Sequence, residues 1–258
     1  MNETPAPPTE PVKQMSFTDK LAGIFSSPGD VYENVRQTPP TSSNWFLPVV
    51  ILVVIGLIMA YVLTTNPTLA DQMKRIASEQ MEKGLQKQIA AGKMTQEQAN
   101  QARDQMESFG SKGPLIFSYV SAVVGPFLLV FIPGLVYWLL GKWVMKVSVP
   151  FMKVAEVVGL TLFIASLESI ITLILQIGMN SVFASPSLAI FISNFSLDNT
   201  MHALASKINI FTIWTLIVTS IGLARLFMKD MPKVLVLVFA LWILWTVITV
   251  FGGAALRG

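Results

Sequence analysis

The chain lacks cysteine entirely and has a single histidine, His202, among its 258 residues. Without thiols there are no disulfides, no thiol nucleophile and no thiolate metal site. The zinc-protease pattern HExxH is absent, and no apolar run contains the aspartates that an intramembrane aspartyl protease needs. His202 lies outside the apolar runs, so it is not placed to activate an intramembrane serine. We therefore predict no enzymatic activity, no cofactor and no metal.

Charge is also scarce. Asp, Glu, Lys and Arg make up 13% of the residues, whereas hydrophobic residues make up 53%. Soluble domains carry about twice that charged fraction. The net charge of +3 is too small to indicate a nucleic-acid partner. The composition instead predicts a protein whose first partner is the lipid bilayer.

Long apolar runs are what the sequence does contain. Residues 45–64 hold no charged side chain, and a helix of about 20 apolar residues crosses a hydrocarbon core of ~30 Å. Comparable runs predict four further spans, at residues 114–140, 151–178, 208–228 and 234–251. The predicted fold class is all-α: a polytopic membrane protein with five transmembrane helices and a polar helical hairpin after the first span.

Polar segments separate and flank these spans. Residues 1–15 are rich in proline and polar side chains, which predicts a disordered tail. Residues 16–44 predict two short amphipathic helices at the cytoplasmic membrane surface. Residues 65–113 carry interleaved charges of both signs and predict an extracytoplasmic helical hairpin. Residues 114–258 then form a bundle of the remaining four spans with a short tail.

The apolar faces of the two amphipathic helices allow two interpretations. They can pack against the spans, or they can present a docking surface to a partner protein. The sequence does not separate these interpretations, and both can hold together. The residues of the candidate docking surface are Phe17, Phe25, Ser27, Pro28 and Tyr32.

Polar side chains inside the spans are the candidate intramembrane site. Glu156 lies about one turn inside the third span, and Glu168 lies near its middle with Gln176 on roughly the same face. An ionised acid at the bilayer centre costs about 2.5–3.5 kcal/mol on insertion scales, so Glu168 and the polar face that it shares with Gln176 should face the bundle. Glu168 fits a proton- or ion-linked site, but hydrogen bonding between helices is the simpler interpretation because no second deep acid or base accompanies it.

Two prolines interrupt the second span. Pro126 and Pro133 each remove a backbone hydrogen bond and clash with the preceding turn. We therefore expect this helix to kink at these positions. A kink of this kind can be purely structural, or it can mark a helix that moves.

Basic residues beside the spans indicate the orientation. With a cytoplasmic N-terminus and an extracytoplasmic C-terminus, only Lys207 and Arg257 flank the spans outside. The long hairpin, whose charges nearly balance, is left out of this comparison. The cytoplasmic basic residues are then Lys13, Lys20, Arg36, Lys142, Lys146, Lys153, Arg225, Lys229 and Lys233. In this arrangement Glu156 and Arg225 lie near the same face, and we predict that they pair.

Four segments of the chain resemble one family. They read FTDKLAGIFSSPGDVYENV, WFLPVVIL, VSVPFMKVAEVVGL and NIFTIWTLIVTSIGLARL. This pattern resembles the Yip-one domain family of Ypt/Rab-interacting integral membrane proteins, over residues 17–251. The resemblance implies five spans and a cytoplasmic N-terminus. Eukaryotic relatives are implicated in vesicle trafficking through small GTPases, whereas the bacterial branch, which the hairpin resembles, implies the inner membrane.

Two functions remain from these observations. The first is a non-enzymatic membrane adaptor or organiser that binds membrane or cytoplasmic proteins, with a homo-oligomer left open. The alternative is a small proton- or ion-linked transporter or channel that uses Glu168 and the proline-kinked second span. The sequence names no partner for the first and shows no internal repeat for the second.

Overall fold

The computed structural model describes residues 12–109 and 112–257. These ranges contain ten α-helices and no β-strand, which confirms the predicted all-α fold class. The prediction of a disordered tail falls largely on residues 1–11, outside the described residues. The helices are α1 Phe17–Ser26, α2 Pro28–Gln37, α3 Ser43–Thr65, α4 Pro67–Ala90, α5 Gln96–Phe109, α6 Lys112–Trp143, α7 Phe151–Met179, α8 Thr200–Lys207, α9 Ile210–Phe227 and α10 Met231–Arg257.

Five of these helices are long and apolar enough to cross a membrane. They are α3, α6, α7, α9 and α10, and each coincides with one of the five predicted spans. Helix α10 continues to Arg257, beyond the predicted end at residue 251, because the glycines and alanines that follow still allow helical geometry. The protein is therefore an integral membrane protein with several spans.

Local sequence signals explain where the helices outside the spans begin and end. The Ser16 hydroxyl accepts from the Asp19 backbone N–H, and the Asp19 carboxylate accepts in return, which forms a capping box before α1. Thr95 and Gln98 exchange the equivalent bonds before α5. Helix α4 ends where Gly92 takes a φ of +65°, a conformation that glycine adopts at no steric cost.

Helix α7 is the centre of the bundle. It packs on α3, α6 and α9, and it also contacts α1 and α2. Helices α3 and α7 run in the same direction, since Asn44 contacts Glu156 at one end and Gln72 contacts Asn180 at the other. We call the end with Asn44 and Glu156 the near end, and the end with Asn180 the far end.

Helices α1 and α2 pack against α7 and α9 from the near end inwards, and the aromatic contacts of α1 lie well inside the bundle. The Phe17 ring meets Phe163 edge-on at 5.5 Å, and Phe25 meets Trp214 at the same distance. Tyr32 is fully buried. The apolar faces of the two amphipathic helices therefore pack against the spans, as the first of the two interpretations predicts. A buried Tyr32 cannot contact a partner, so we remove it from the docking surface.

The hairpin of α4 and α5 covers the far end. Gln72 donates to the Asn180 carbonyl at 2.7 Å and accepts from the Val182 N–H at 3.1 Å. These bonds join the start of α4 to the segment that follows α7. At the other side of the bundle, α6 runs as one continuous helix through Pro126 and Pro133. The kink expected at these prolines stays a prediction.

Candidate functional site: a buried polar cluster under the N-terminal helices

Four polar side chains converge where α1, α3 and α7 meet at the near end. They are Lys20 from α1, Asn44 from α3, and Lys153 and Glu156 from α7, and all four are buried. Burying a charge is costly unless it is paired and hydrogen-bonded. The way in which these groups satisfy one another therefore decides whether the N-terminal helices stay on the bundle.

Glu156 is the centre of this buried polar cluster. Its Oε2 accepts from the Asn44 amide, and its Oε1 accepts from the Thr41 backbone N–H at 3.0 Å. The Lys153 Nζ lies 3.4 Å from the same Oε1, one helical turn earlier on α7. The side-chain oxygen of Asn44, Oδ1, in turn accepts from the Lys20 Nζ at 2.8 Å. Asn44 thus links the ammonium of α1 to the carboxylate of α7.

Backbone groups of the N-terminal segment complete the cluster. The Lys153 Nζ donates to the Val35 carbonyl at 2.5 Å, near the end of α2. That carbonyl belongs to the last turn of a helix, where carbonyl oxygens lack intrahelical partners. The Tyr32 hydroxyl donates to the Val157 carbonyl at 3.1 Å. Helices α1 and α2 are therefore fastened to α7 through specific bonds as well as apolar packing.

The cluster holds two ammonium groups against one carboxylate. Burial lowers the pKa of Lys20, and the nearby Glu156 carboxylate opposes that shift. Glu156 therefore serves both lysines, directly for Lys153 and through Asn44 for Lys20. A carboxylate with this role cannot be removed without leaving uncompensated buried charge.

The predicted pairing of Glu156 with Arg225 is wrong. Glu156 is satisfied by Asn44, Thr41 and Lys153, while the exposed Arg225 lies near Gly29 and Glu33 of α2. The physical reason is helical geometry, because Lys153 shares a face with Glu156 at three residues' spacing. The three-residue spacing of Lys153 and Glu156 is the sequence signal from which their pairing could have been predicted. Nothing in the sequence pointed to Lys20 or Asn44.

Glu168 and Gln176 bind different partners farther along α7. The Asn209 amide, at the start of α9, donates to Glu168 Oε1 at 2.6 Å. The Gln176 amide donates to the Val182 carbonyl at 2.9 Å, in the segment after α7. At ~1.5 Å per residue, Glu168 lies about 18 Å along the helix from Glu156. The predicted intramembrane polar residues therefore do not form one site.

The remaining candidates of the docking surface, Phe17, Phe25, Ser27 and Pro28, are all partly exposed. Phe17 and Phe25 are partly exposed beside their aromatic partners. Ser27 makes no side-chain cap bond at the start of α2, and Pro28 occupies the first helical position.

His202 lies at the far end, where its Nδ1 accepts from the Ser196 N–H at 3.1 Å.

These features define the class: a polytopic α-helical membrane protein whose N-terminal amphipathic helices are fastened to a five-helix bundle by a buried ion cluster. The chain belongs to the Yip1 domain family, whose model matches residues 22–254. This match confirms the predicted resemblance; it covers all five candidate spans and three members of the cluster, Asn44, Lys153 and Glu156, but begins after Lys20. No curated protein and no solved structure matches the chain.

Proposed function

We propose that this protein is a non-enzymatic membrane adaptor that presents the outer faces of α1 and α2 to partner proteins. The observation that carries the proposal is the buried polar cluster, which fixes both helices on the bundle. Their outward side chains are not covered by the rest of the bundle, at Thr18, Asp19, Ala22, Ser26, Asp30 and Gln37. Membership of a membrane-protein family associated with protein partners supports the same function.

A fixed surface suits an adaptor for an energetic reason. Ordering a flexible segment on binding consumes interaction free energy, whereas a surface that is already ordered does not incur that cost. The buried Tyr32 and Lys153 bonds hold α2 in place before any partner arrives. The partner then contacts a polar face flanked by the half-exposed Phe17 and Phe25.

Site-directed photo-crosslinking tests the adaptor function. A benzophenone side chain at Ala22, on the exposed face of α1, should give defined adducts in native membranes. Ser26 lies one turn away on the same face of α1. Ser26→Arg changes the shape and charge of that face and should therefore remove those adducts. A benzophenone at Ser148, exposed in the segment between α6 and α7 at the same end of the bundle, is the control for random collision. Adducts at Ala22 that match those at Ser148, or that survive Ser26→Arg, would contradict the proposal.

The orientation is part of the proposal: the near end faces the cytoplasm, in a bacterial inner membrane. The distribution of basic side chains supports it, since Arg36, Lys142, Arg225 and Lys229 all belong to the near end. Cytoplasmic segments beside spans carry an excess of Lys and Arg. The near end is also the end to which α1 and α2 bind.

A cysteine-free chain makes this orientation directly measurable. Ser26→Cys on α1 should react with an impermeant maleimide only in inverted vesicles. Lys93→Cys, in the turn between α4 and α5, should react only in intact spheroplasts. Both positions are exposed, so accessibility to solvent is matched. The reverse labelling pattern would place the hairpin in the cytoplasm and overturn the proposed orientation.

A second candidate function is proton- or ion-linked transport through Glu168. The supporting observation is its lone carboxylate, which is bonded within a span to the residue that caps α9. Reconstituted protein should then show a pH-dependent flux that Glu168→Gln abolishes and that the exposed Glu97→Gln preserves. Vesicles without any flux would exclude this second candidate.

A further inference from the structure

A cationic groove opens at the near end, outside the buried polar cluster. It lies between α2, the end of α9 and the start of α10, and its volume is about 760 Å³. Arg36, Arg225 and Lys229 line it with one carboxylate, Glu33. Volumes of a few hundred to a thousand Å³ are typical of small-molecule sites.

The charges of the groove are not mutually neutralised. Glu33 accepts from Arg36 and from Gln37, and the bond from Arg36 lowers the pKa of that carboxyl. Arg225 has no hydrogen bond and no ion pair among the residues that the structure describes. The Lys229 ammonium likewise makes no hydrogen bond or ion pair among these residues. Glu33 acts on Arg225, and Asp230 on Lys229, only through longer-range electrostatics, so both cations have free donors for an anion. A guanidinium matches a phosphate with two parallel N–H···O bonds.

An apolar track leads from this groove along α9 into the membrane. Ile221 lines the groove, and Ile217 and Ile213 follow at successive intervals of four residues on the same face. Both are more than a third exposed, at 38% and 37%. Met228 and Met231 add apolar lining where α9 gives way to α10. The track begins at the cations and continues along a membrane-spanning helix.

We propose that the groove binds the phosphate headgroup of an anionic phospholipid, with its acyl chains on the isoleucine track. Arg225 and Lys229 contact the phosphate, and Arg36 stays with Glu33 at the rim. A lipid explains the cations and the track together, whereas a phosphorylated peptide would leave Ile213 and Ile217 without a role. This inference goes beyond the adaptor function and does not depend on it.

Native mass spectrometry of the full, detergent-solubilised chain tests the proposal with dioctanoyl phosphatidylglycerol as the probe. Arg225→Gln should weaken binding of this lipid by about tenfold, because a charge-assisted pair is lost. Lys229→Gln removes the second proposed phosphate contact from an exposed side chain, and it should also weaken binding of this lipid. Lys142→Gln is the matched control, since it removes the same charge from the near end but lies over Trp138 in a different groove.

The expected pattern is specific to groove and lipid. Dioctanoyl phosphatidylcholine should bind more weakly than phosphatidylglycerol, and equimolar inorganic phosphate should not displace the bound lipid. If Lys142→Gln weakened lipid binding as much as Arg225→Gln, the binding would depend on the total positive charge of the near end, and the proposal would be overturned. Displacement by inorganic phosphate would indicate a free-phosphate site, and tighter binding of a phosphoserine peptide would indicate a protein partner; either result would overturn it.

Discussion

Glu156→Ala should destabilise the protein by about 3–5 kcal/mol, the range found when one partner of a buried ion pair is removed. The substitution leaves Lys153 buried without a carboxylate, and it removes the acceptor of the Asn44 amide and the Thr41 N–H. Unfolding of the detergent-solubilised protein by a denaturing detergent, followed by circular dichroism, measures this change. Glu97→Ala on the exposed face of α5 is the control and should change the stability by little.

The loss should appear first where α1 and α2 join the bundle. Trypsin should cleave Glu156→Ala at Lys20 and Arg36 under conditions that leave the unmodified protein intact, because α1 and α2 detach before the spans unfold. The double variant Glu156→Leu/Lys153→Met should regain part of the stability, since it removes both members of the direct ion pair and leaves Lys20 as the one buried charge of the cluster. A single variant as stable as Glu97→Ala would mean that the cluster does not fasten these helices.

The spans and the helix ends follow from local sequence, which is why they could be predicted. Apolar length identifies a span without knowledge of its neighbours, and Ser16 forms its capping box with a residue three positions away. The inward orientation of Glu168, which binds Asn209 at the start of α9, could also be predicted, because a carboxylate deep inside an apolar run cannot favour lipid. The five apolar runs predict the five spans, and the family resemblance implies the same number.

The partners of Glu156 could not be predicted, because they come from distant parts of the chain. Asn44 lies 112 positions away from Glu156, and no periodicity relates the two residues. Lys20 resembled a surface cation on an amphipathic helix, yet tertiary packing buries it. Arg225 was assigned to Glu156 from the shared membrane face alone, but its side chain points outward, into the cationic groove.

Gly159→Ala should also lower the stability substantially, by about 2–4 kcal/mol. A Cβ at this position would lie 2.4 Å from the Trp45 Cα, so α3 must move away from α7. Asn44 lies at the start of α3, and its backbone carbonyl oxygen would lie 3.1 Å from the same Cβ. The movement therefore strains the contact between Asn44 and Glu156 as well as the packing. The same denaturation measurement in detergent reports the loss.

Gly178→Ala is the matched control, because it lies on the same helix and its Cβ would meet nothing within 4 Å. It should be neutral or stabilise the protein by about 0.5–1 kcal/mol, since alanine favours helix over glycine. If the close approach at Gly159 serves to seat Asn44, then Gly159→Ala and Asn44→Ala should be strongly non-additive, because each disrupts the same contact. Additive losses would instead mean that Gly159 serves the packing of α3 on α7 alone, and that the buried cluster holds its geometry without it.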